Sequence, residues 1–260
     1  MHSASLPHVA EESSPVSAAQ IANYHQHGFV HTPGILTPAE AEDFRARFLS
    51  ATEKAQNLAG GYGSAVFDQY VNLWQQTDPS LVNLALHPRM RAAATALAGE
   101  PLRLWHDHLL VKRAKNGVPT EWHQDQPYWP HADSAGALSA WVALVDAPQI
   151  RGCMSYIPGS HRHVELAAQD LQDAQDLFRR CPELQWLPAV TVPVKAGDVV
   201  WHHARTAHRA EANRSEVDRV VVSVIYMPRS TRFTGGAHIC TQGRGYPVGE
   251  ILAGPAFPEV

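Results

Sequence analysis

The stretch EWHQDQPYWP at residues 121–130 places a histidine and a carboxylate two positions apart among aromatic side chains. On a β-strand, His123 and Asp125 would point to the same face, where an imidazole nitrogen and a carboxylate oxygen can bind one metal ion. The pair alone is weak support for a metal site, because the chain has sixteen histidines and a second such pair at His131 and Asp133. Gly, Ser and Ala surround that second pair, which predicts a solvated loop.

A third candidate ligand follows an apolar strand in the segment GDVVWHHARTAH. Gly197 and Asp198 predict a turn, and His208 comes just after the predicted strand. Two histidines and one carboxylate occupy one face of a six-coordinate metal and leave the other positions open, as in non-haem Fe(II) oxygenases. His202 and His203 are predicted to pack beside the ligands, because a metal that holds His208 leaves little room for its neighbours.

Arg219 lies eleven residues after His208 and opens the apolar strand RVVVSVIYM. Its side chain is predicted to share a face with Val221 and Ser223. A buried guanidinium is costly without an anion, and its planar fork suits a carboxylate. The distal carboxylate of 2-oxoglutarate is an anion of this kind.

The segments WHQD, IPGSH, GDVVWHHARTAH and NRS, followed by the strand that Arg219 opens, resemble the phytanoyl-CoA dioxygenase family of Fe(II)- and 2-oxoglutarate-dependent oxygenases. The resemblance extends from about His25 to the C-terminal tail. It implies that His123, Asp125 and His208 bind Fe(II) and that Arg219 anchors 2-oxoglutarate. It also implies a mainly β fold with flanking helices around a double-stranded β-helix, a cupin-like jelly roll.

The reaction implied by this resemblance uses dioxygen and 2-oxoglutarate to oxidise a C–H bond, most simply by hydroxylation, and releases succinate and carbon dioxide. Asp125 favours oxidation over halogenation, because related halogenases have a small residue at this position. Desaturation, epimerisation and ring formation remain open. Two alternatives are another divalent-metal jelly-roll enzyme, a hydrolase or isomerase, and a catalytically silent module that binds a small molecule. The complete ligand set together with Arg219 favours the oxygenase.

The chain departs from the family pattern at Ala210, where many members have a serine that helps to hold the 2-oxoglutarate carboxylate. The second contact to this carboxylate is therefore expected from Ser223 or Thr206. On the strand before His-x-Asp, relatives have a polar residue near the keto-acid, and the counterpart here is His106 or His108.

Aromatic residues near the predicted ligands are candidates for the substrate pocket. Residues 60–76 are predicted to form a lid that includes Trp74. The turn at residues 158–161 is predicted to brace the edge of the site. These features favour an apolar or aromatic small molecule, such as a secondary metabolite, as the substrate. The candidate pocket residues are Tyr128, Trp129, Trp141, Phe67 and Tyr62.

The predicted elements around these residues are helices first and strands afterwards. Capping patterns predict helices from Ser17 to about residue 27 and from Thr37 to about residue 59, and a further helix is expected over residues 80–98. Residues 102–228 consist mainly of short β-rich runs with period two, bounded by turn residues, which predicts an antiparallel sandwich, barrel or jelly roll. Within this region, residues 165–180 have apolar positions at helical spacing and predict a helical insertion.

Composition limits the remaining possibilities. The chain has 260 residues, 45% of them hydrophobic, and a net charge of -4, with scattered rather than clustered basic residues. This charge argues against nucleic acid as a partner and leaves a small-molecule substrate. No apolar run is long enough to span a membrane and no signal-peptide core is present, so a cytoplasmic location is expected. The oligomeric state is not predicted.

Domain organisation and cysteine usage are simple. Residues 1–16 are rich in Ser, Ala, Pro and Glu and are predicted to be a disordered lead, whereas residues 17–260 are predicted to form one domain. Cys153, Cys181 and Cys240 are far apart and odd in number, which predicts free thiols rather than disulfides.

Overall fold

The computed structural model describes residues 14–55, 66–163 and 167–260. Most of the predicted N-terminal lead, and the candidate pocket residue Tyr62, lie outside these ranges. Val16 is already buried against the core, so the packed part of the chain includes it. The helices are α1 (Ala18–His27), α2 (Pro38–Ala51), α3 (Leu73–Gln76), α4 (Val82–Ala85), α5 (Pro88–Ala98) and α6 (Asp176–Arg180). Short 3-10 helices span Thr52–Lys54, Pro79–Leu81, Gln126–Tyr128, Gln149–Arg151, Ser160–Arg162 and Pro182–Trp186.

The first two helices begin where their capping residues predict. The Ser17 hydroxyl accepts a hydrogen bond from the Gln20 backbone, and Thr37 forms the same capping box with Glu40. Helix α2 ends at Ala51 rather than near residue 59. The Thr52 hydroxyl donates to the Leu49 carbonyl (2.7 Å), and the chain tightens into a 3-10 turn.

Two longer helix predictions were wrong in extent. The predicted helix at 80–98 is divided, because Pro88 lacks an N–H and occupies the first turn of a new helix, α5. In the 165–180 insertion, α6 is the helical part of the described residues. Residues 170–176 turn instead, because the side chains of Asp170, Asp173 and Asp176 accept hydrogen bonds from backbone N–H groups.

The strands are β1 (Phe29–Thr32), β2 (Asp68–Val71), β3 (Leu102–Lys112), β4 (Thr120–His123), β5 (His131–Ala132), β6 (Leu138–Ala143), β7 (Met154–Tyr156), β8 (Val190–Val192), β9 (Val199–His203), β10 (His208–Ala210), β11 (Arg219–Pro228) and β12 (Arg232–Phe233). A six-stranded sheet has the order β1-β9-β6-β11-β3-β2, and a four-stranded sheet has the order β4-β10-β7-β8. All pairings are antiparallel. This is the predicted mainly β jelly roll, with β5 and β12 as an added ribbon.

The main hydrophobic core lies between the six-stranded sheet and the N-terminal helices and covers one face of β11, whose residues are all buried. A smaller cluster fills one part of the space between the two sheets, where Trp141 and Val221 face Met154 and Ala210. The rest of that space is open. Among the described residues, no helix is both long and apolar enough to cross a membrane.

Part of the segment predicted as a lid belongs to the six-stranded sheet, and residues Leu73–Gln76 form α3. Residues Asp68–Val71 form β2 and pair with β3, with Gln69 opposite Leu110 and Val71 opposite His108. The Trp74 side chain packs against the main core and does not line the cavity between the sheets. The lid prediction is therefore wrong for residues 68–76, because hydrogen bonding to β3 fixes this backbone.

Candidate active site

A cavity of about 290 Å³ lies between the two sheets. Its lining combines side chains from both sheets, so residues distant in sequence face one another. The residues that line it are Phe67, Gln69, Val71, His106, His108, Leu110, Thr120, His123, Asp125, Tyr128, Trp129, Trp141, Met154, Leu171, His202, His208, Ala210, Arg219, Ser223, Ile225, His238 and Ile239.

The predicted metal ligands meet at one wall of this cavity. The strand β4 ends at His123, and β10 begins at His208 directly opposite it. The ligand atoms of His123, Asp125 and His208 all lie within 4.8 Å of one another. The Asp125 Oδ1 is 3.5 Å from His208 Nε2 and 3.9 Å from His123 Nε2.

The local geometry differs from the predicted one at Asp125. Asp125 lies beyond the end of β4 in helical backbone conformation, so strand alternation is not what brings it beside His123. Instead, the backbone N–H groups of Asp125 and Gln126 both donate to the Ala204 carbonyl (3.0 Å each). His208 follows the end of the apolar strand β9, as predicted, and opens a separate short strand, β10, which pairs with both β4 and β7.

Backbone hydrogen bonds fix both imidazole rings in the same tautomer. The Nδ1 of His123 is 2.7 Å from the Glu121 carbonyl oxygen, and the Nδ1 of His208 is 2.8 Å from the Thr206 carbonyl oxygen. Since a carbonyl can only accept, each Nδ1 carries the proton and each Nε2 lone pair is free. Burial lowers the pKa of both histidines, which keeps these lone pairs available.

The second oxygen of Asp125 has its own partners. The Ser139 hydroxyl donates to Asp125 Oδ2 (2.7 Å), and His202 Nε2 lies 3.1 Å from the same oxygen. Burial alone would raise the pKa of Asp125, but the neighbouring imidazoles, His208 first, lower it below the usual range. The carboxylate is therefore ionised and oriented. His202 occupies the predicted position beside the ligands, whereas the His203 ring is hydrogen-bonded to the Ala135 carbonyl oxygen (2.7 Å).

Arg219 is buried in the lining of the same cavity. One guanidinium nitrogen donates to the Gly152 carbonyl (2.8 Å), the group lies over the Trp141 ring (5.5 Å), and Nε has no hydrogen-bond partner among the described residues. No carboxylate of the described residues forms an ion pair with it. Burial lowers the pKa of Arg219 to about 10, a value at which the group is still charged near neutral pH.

Sequence reasoning missed Lys112 and Thr120 beside Arg219. Lys112 is fully buried, and its Nζ donates to the Thr120 hydroxyl (3.2 Å), the Ala210 carbonyl (3.4 Å) and the Glu211 carbonyl (3.0 Å). Thr120 lines the cavity and is the register partner of Ala210. The signal that could have identified Lys112 is a lysine that ends the strand β3 directly after the apolar residues 109–111.

Most of the predicted cofactor residues face the cavity. Ser223 and His108 are register partners on β11 and β3, and Ile225 pairs with His106 one step further from Arg219. Thr206 does not face the cavity. Its buried hydroxyl donates to the Gly28 carbonyl (2.7 Å), which excludes it as a contact for a ligand in the cavity.

The described aromatic candidates Phe67, Tyr128, Trp129 and Trp141 all line the cavity. The Tyr128 hydroxyl donates to the Gln169 carbonyl (2.5 Å), which fixes its ring near His123. Phe67 and Tyr128 pack in one apolar cluster with Leu171. One wall of the cavity is therefore apolar.

Two further predictions concern residues outside the cavity. The loop prediction for His131 and Asp133 was wrong for His131, which is buried edge-on against Trp105 with ring centroids 4.3 Å apart, because β5 pairs with β12. Asp133 is exposed. The turn at residues 158–161 does brace the site: the Ser160 hydroxyl accepts from the backbone N–H of Ala207, next to His208 (2.8 Å).

Two other groups of side chains in the described residues are close enough to share an ion. They are His106 with His238 and Cys240, and His163 with Cys181 and Glu183. Cysteines 153, 181 and 240 are free thiols, as predicted. Among these groups, His123, Asp125 and His208 form the one that combines two histidines with a carboxylate, the set used by non-haem iron oxygenases.

Solved structures with this fold carry the same chemistry. The chain is similar to the non-haem alpha-ketoglutarate-dependent carbocyclase SnoK from nogalamycin biosynthesis, with 36% identity, a TM-score of 0.84, and coverage of 94% of this chain and 96% of SnoK. It is also similar to the epimerase SnoN, solved with Fe³⁺, alpha-ketoglutarate and nogalamycin RO, with 38% identity, a TM-score of 0.81, and coverage of 93% and 97%. Fold and site together define a non-haem iron oxygenase that uses 2-oxoglutarate.

The phytanoyl-CoA dioxygenase family model matches residues 24–221, and the chain belongs to this family. A probable phytanoyl-CoA dioxygenase of Caenorhabditis elegans is 25% identical over 238 residues, which are 83% of this chain and 76% of the worm protein. The protein is therefore an oxidoreductase with Fe(II), 2-oxoglutarate and dioxygen as cofactors and cosubstrates. These similarities favour the oxygenase over the hydrolase, isomerase and silent-module alternatives.

Proposed function

We propose that this protein oxidises a C–H bond of a small, largely apolar molecule. The simplest outcome of its family chemistry is hydroxylation, with release of succinate and carbon dioxide. The observation that carries the proposal is one cavity whose lining joins His123, Asp125 and His208 to an apolar, aromatic wall and to Arg219. Iron and 2-oxoglutarate, when bound, supply the oxidising power through the reduction of dioxygen.

The proposed iron ligands are His123 Nε2, His208 Nε2 and the Asp125 carboxylate. Their fit to Fe(II) rests on the free Nε2 lone pairs, which the backbone carbonyls of Glu121 and Thr206 leave facing the cavity. Asp125 contributes the negative charge and is held in place by Ser139 and His202.

The proposed 2-oxoglutarate site is centred on Arg219. A buried guanidinium with an unpartnered Nε is costly, and a ligand carboxylate would remove this cost. Thr120 replaces the missing family serine at Ala210: its oxygen accepts from Lys112, so its own proton is free to be donated to the same carboxylate. Ser223 and His108 lie between this end and the metal ligands and are proposed to contact the rest of the cofactor.

The protein's remaining contribution is to exclude water and hold the substrate. Phe67, Tyr128, Trp129 and Trp141 line the cavity and provide apolar surface for an aromatic or otherwise apolar substrate. A secondary metabolite is the proposed substrate class, supported by the similarity to two enzymes of nogalamycin biosynthesis.

The second candidate outcome is ring closure or epimerisation rather than hydroxylation. It is supported by the activities named for the two solved relatives, a carbocyclase and an epimerase, at 36% and 38% identity. The three outcomes differ in the mass of the product, which gains one oxygen in hydroxylation, loses two hydrogens in ring closure and is unchanged in epimerisation. Mass spectrometry of the product from a substrate screen distinguishes them.

The experiment that tests the proposal is an anaerobic titration. Fe(II) and then 2-oxoglutarate are added to metal-free protein while the visible metal-to-ligand charge-transfer band is recorded for wild type and His123→Ala. We expect the band in wild type and its loss in the variant. A well-folded, reduced wild-type protein that gives no band would overturn the assignment of iron and 2-oxoglutarate to this cavity.

A further inference from the structure

A second pair of histidines lines the cavity in addition to the proposed iron ligands. His106 on β3 and His238 in the C-terminal segment both face the cavity, and their rings stack with centroids 5.5 Å apart. One ring nitrogen of each lies within 4.8 Å of the other. Ile225, Trp129 and Ile239 supply apolar surface at the same end.

Hydrogen bonds give these two rings opposite roles. The His106 Nδ1 donates to the Asp107 carbonyl oxygen (3.1 Å), so its Nε2 is a bare acceptor. The His238 Nδ1 accepts from the Cys240 backbone N–H (3.2 Å), so its Nε2 carries the proton and is a donor. Burial lowers the pKa of both rings, that of His238 to about 4, and both are neutral near pH 7.

Among the described residues, no carboxylate forms a hydrogen bond or an ion pair with either ring. Asp107 follows His106 in sequence, but its two carboxylate oxygens accept from the backbone N–H groups of Leu73 (2.9 Å) and Trp74 (3.3 Å). Cys240 is buried, and burial raises the pKa of its thiol, so it is uncharged. An uncharged donor and an uncharged acceptor set close together suit a neutral polar group on the ligand.

We propose that His106 and His238 form a seat for one hydroxyl group of an otherwise apolar, aromatic substrate. A hydroxyl donates one hydrogen bond and accepts others, so a single oxygen can donate to His106 Nε2 and accept from His238 Nε2–H. One ring nitrogen of His106 and one of His238 lie within 4.8 Å of each other, and one oxygen can span such a separation with two hydrogen bonds of about 2.8 Å. This inference rests on the proposed function and names the substrate class of the same cavity.

The seat lies at the end of the cavity opposite the proposed 2-oxoglutarate site. Along the β3–β11 pair, Arg219 is opposite Lys112, Ser223 is opposite His108, and Ile225 is opposite His106. Each step of two residues advances about 7 Å along a strand. The seat therefore holds one edge of the substrate while another part of it reaches the iron ligands.

The test uses two probes with the same rings and different hydrogen-bonding capacity. Naphthol can donate and accept, whereas its methyl ether keeps the oxygen but cannot donate. Binding is measured by quenching of tryptophan fluorescence in metal-free protein, since Trp129 and Trp141 line the cavity. We expect wild type to prefer naphthol by at least about 10-fold, the effect of leaving a buried acceptor unpaired.

Substitutions of His106 and His238 test whether these two rings cause the preference for naphthol over its methyl ether. His106→Leu should bind both probes with nearly equal affinity, and His238→Gln, which keeps an N–H donor, should retain part of the preference. Ile239→Val is the matched control, because it trims the apolar surface at the same end and should change both affinities alike. Circular dichroism checks that each variant is folded.

Three results would overturn the seat: equal affinity of wild type for the two probes, an undiminished preference in His106→Leu, or no quenching by either probe. A preference that appears only after Zn²⁺ is added would also overturn it, in favour of a metal held by His106, His238 and Cys240. Because the protein is metal-free and no turnover is needed, failure here is distinct from failure of the iron and 2-oxoglutarate assignment.

Discussion

The cavity contains two histidine clusters that differ in one decisive respect. In the first, His123, His202 and His208 surround the ionised carboxylate of Asp125. In the second, His106 and His238 lie beside Trp105 and form no ion pair with a carboxylate in the part of the chain that the structure describes. Burial lowers the pKa of His123 and His208 in the first cluster and of both histidines in the second.

The difference shows how similar residues acquire different chemistry. A buried carboxylate needs a positive partner, and neutral imidazoles with free lone pairs add ligands for a cation. Without the carboxylate, buried neutral imidazoles are hydrogen-bonding groups for uncharged ligands. The first cluster is thus suited to a metal ion and the second to a substrate.

The largest effect is expected from removing a ligand of the first cluster. His208→Ala should weaken Fe(II) binding by at least about 100-fold, more than the loss of a supporting residue costs. His238→Ala, which removes a histidine of the second cluster, should leave Fe(II) affinity unchanged. Anaerobic Fe(II) titration measures both. An equal loss of Fe(II) affinity in the two variants would contradict the assignment of iron to the first cluster alone.

The next largest effect concerns the proposed 2-oxoglutarate site at Arg219, which lies in the same cavity as the first cluster. Arg219→Met should raise the 2-oxoglutarate concentration needed for half-saturation by at least about 30-fold, since truncating one partner of a buried charge pair costs about 2 kcal/mol or more. Arg219→Lys keeps the charge but loses the planar fork, so its affinity for 2-oxoglutarate should lie between those of wild type and Arg219→Met. A 2-oxoglutarate titration of the charge-transfer band measures this, and an unchanged affinity in Arg219→Met would contradict the anchor assignment.

A smaller difference in Fe(II) affinity is expected between variants of the adjacent histidines His202 and His203. His202 contacts Asp125, whereas His203 contacts the Ala135 carbonyl. His202→Phe should therefore lower Fe(II) affinity by about 10-fold, the lower end of what supporting residues contribute, and His203→Phe should leave it unchanged. If both substitutions had the same effect on the iron titration, the role assigned to His202 would be wrong.

The smallest effect tests burial of neutral histidine near the second cluster. His131 has no hydrogen-bond partner for either ring nitrogen among the described residues, and burial lowers its pKa from 6.5 to about 3. His131→Phe should raise the free energy of unfolding by about 1 kcal/mol, because it removes unpaired buried polar atoms. Urea denaturation at pH 7 measures the difference.

The pH dependence of this variant has a defined sign. Between pH 6.5 and 3 the unfolded chain binds a proton at His131 that the folded chain does not, so the folded state loses stability as the pH falls through this window. His131→Phe should lose less stability than wild type between pH 6.5 and 4.5. A steeper loss in the variant would show that His131 is not buried in its neutral form.

Much of the site could be predicted because its signals are local in sequence. The pair His123 and Asp125, the later His208 and the strand opened by Arg219 appear in fixed order, and the structure brings all four to one cavity. The caps at Ser17 and Thr37 were also predictable, because capping depends on residues three positions apart.

The missed features depend on contacts between distant segments. Lys112 reaches Thr120 and the backbone at residues 210–211, and His131 is buried only because β5 pairs with β12. Thr206 was misassigned because its hydroxyl bonds to Gly28, a residue 178 positions away. Local sequence patterns contain no information about such partners.

The sequence by itself determined the strand-rich class, the first helix caps and the set of residues able to bind a metal and a carboxylate. Only the tertiary structure decided which nitrogen of each histidine is free, which side chains share the cavity and which end of it is apolar. The physical reason is that residue type sets what a group can bind, whereas burial and hydrogen-bond partners, supplied by both sheets, set its charge, tautomer and direction.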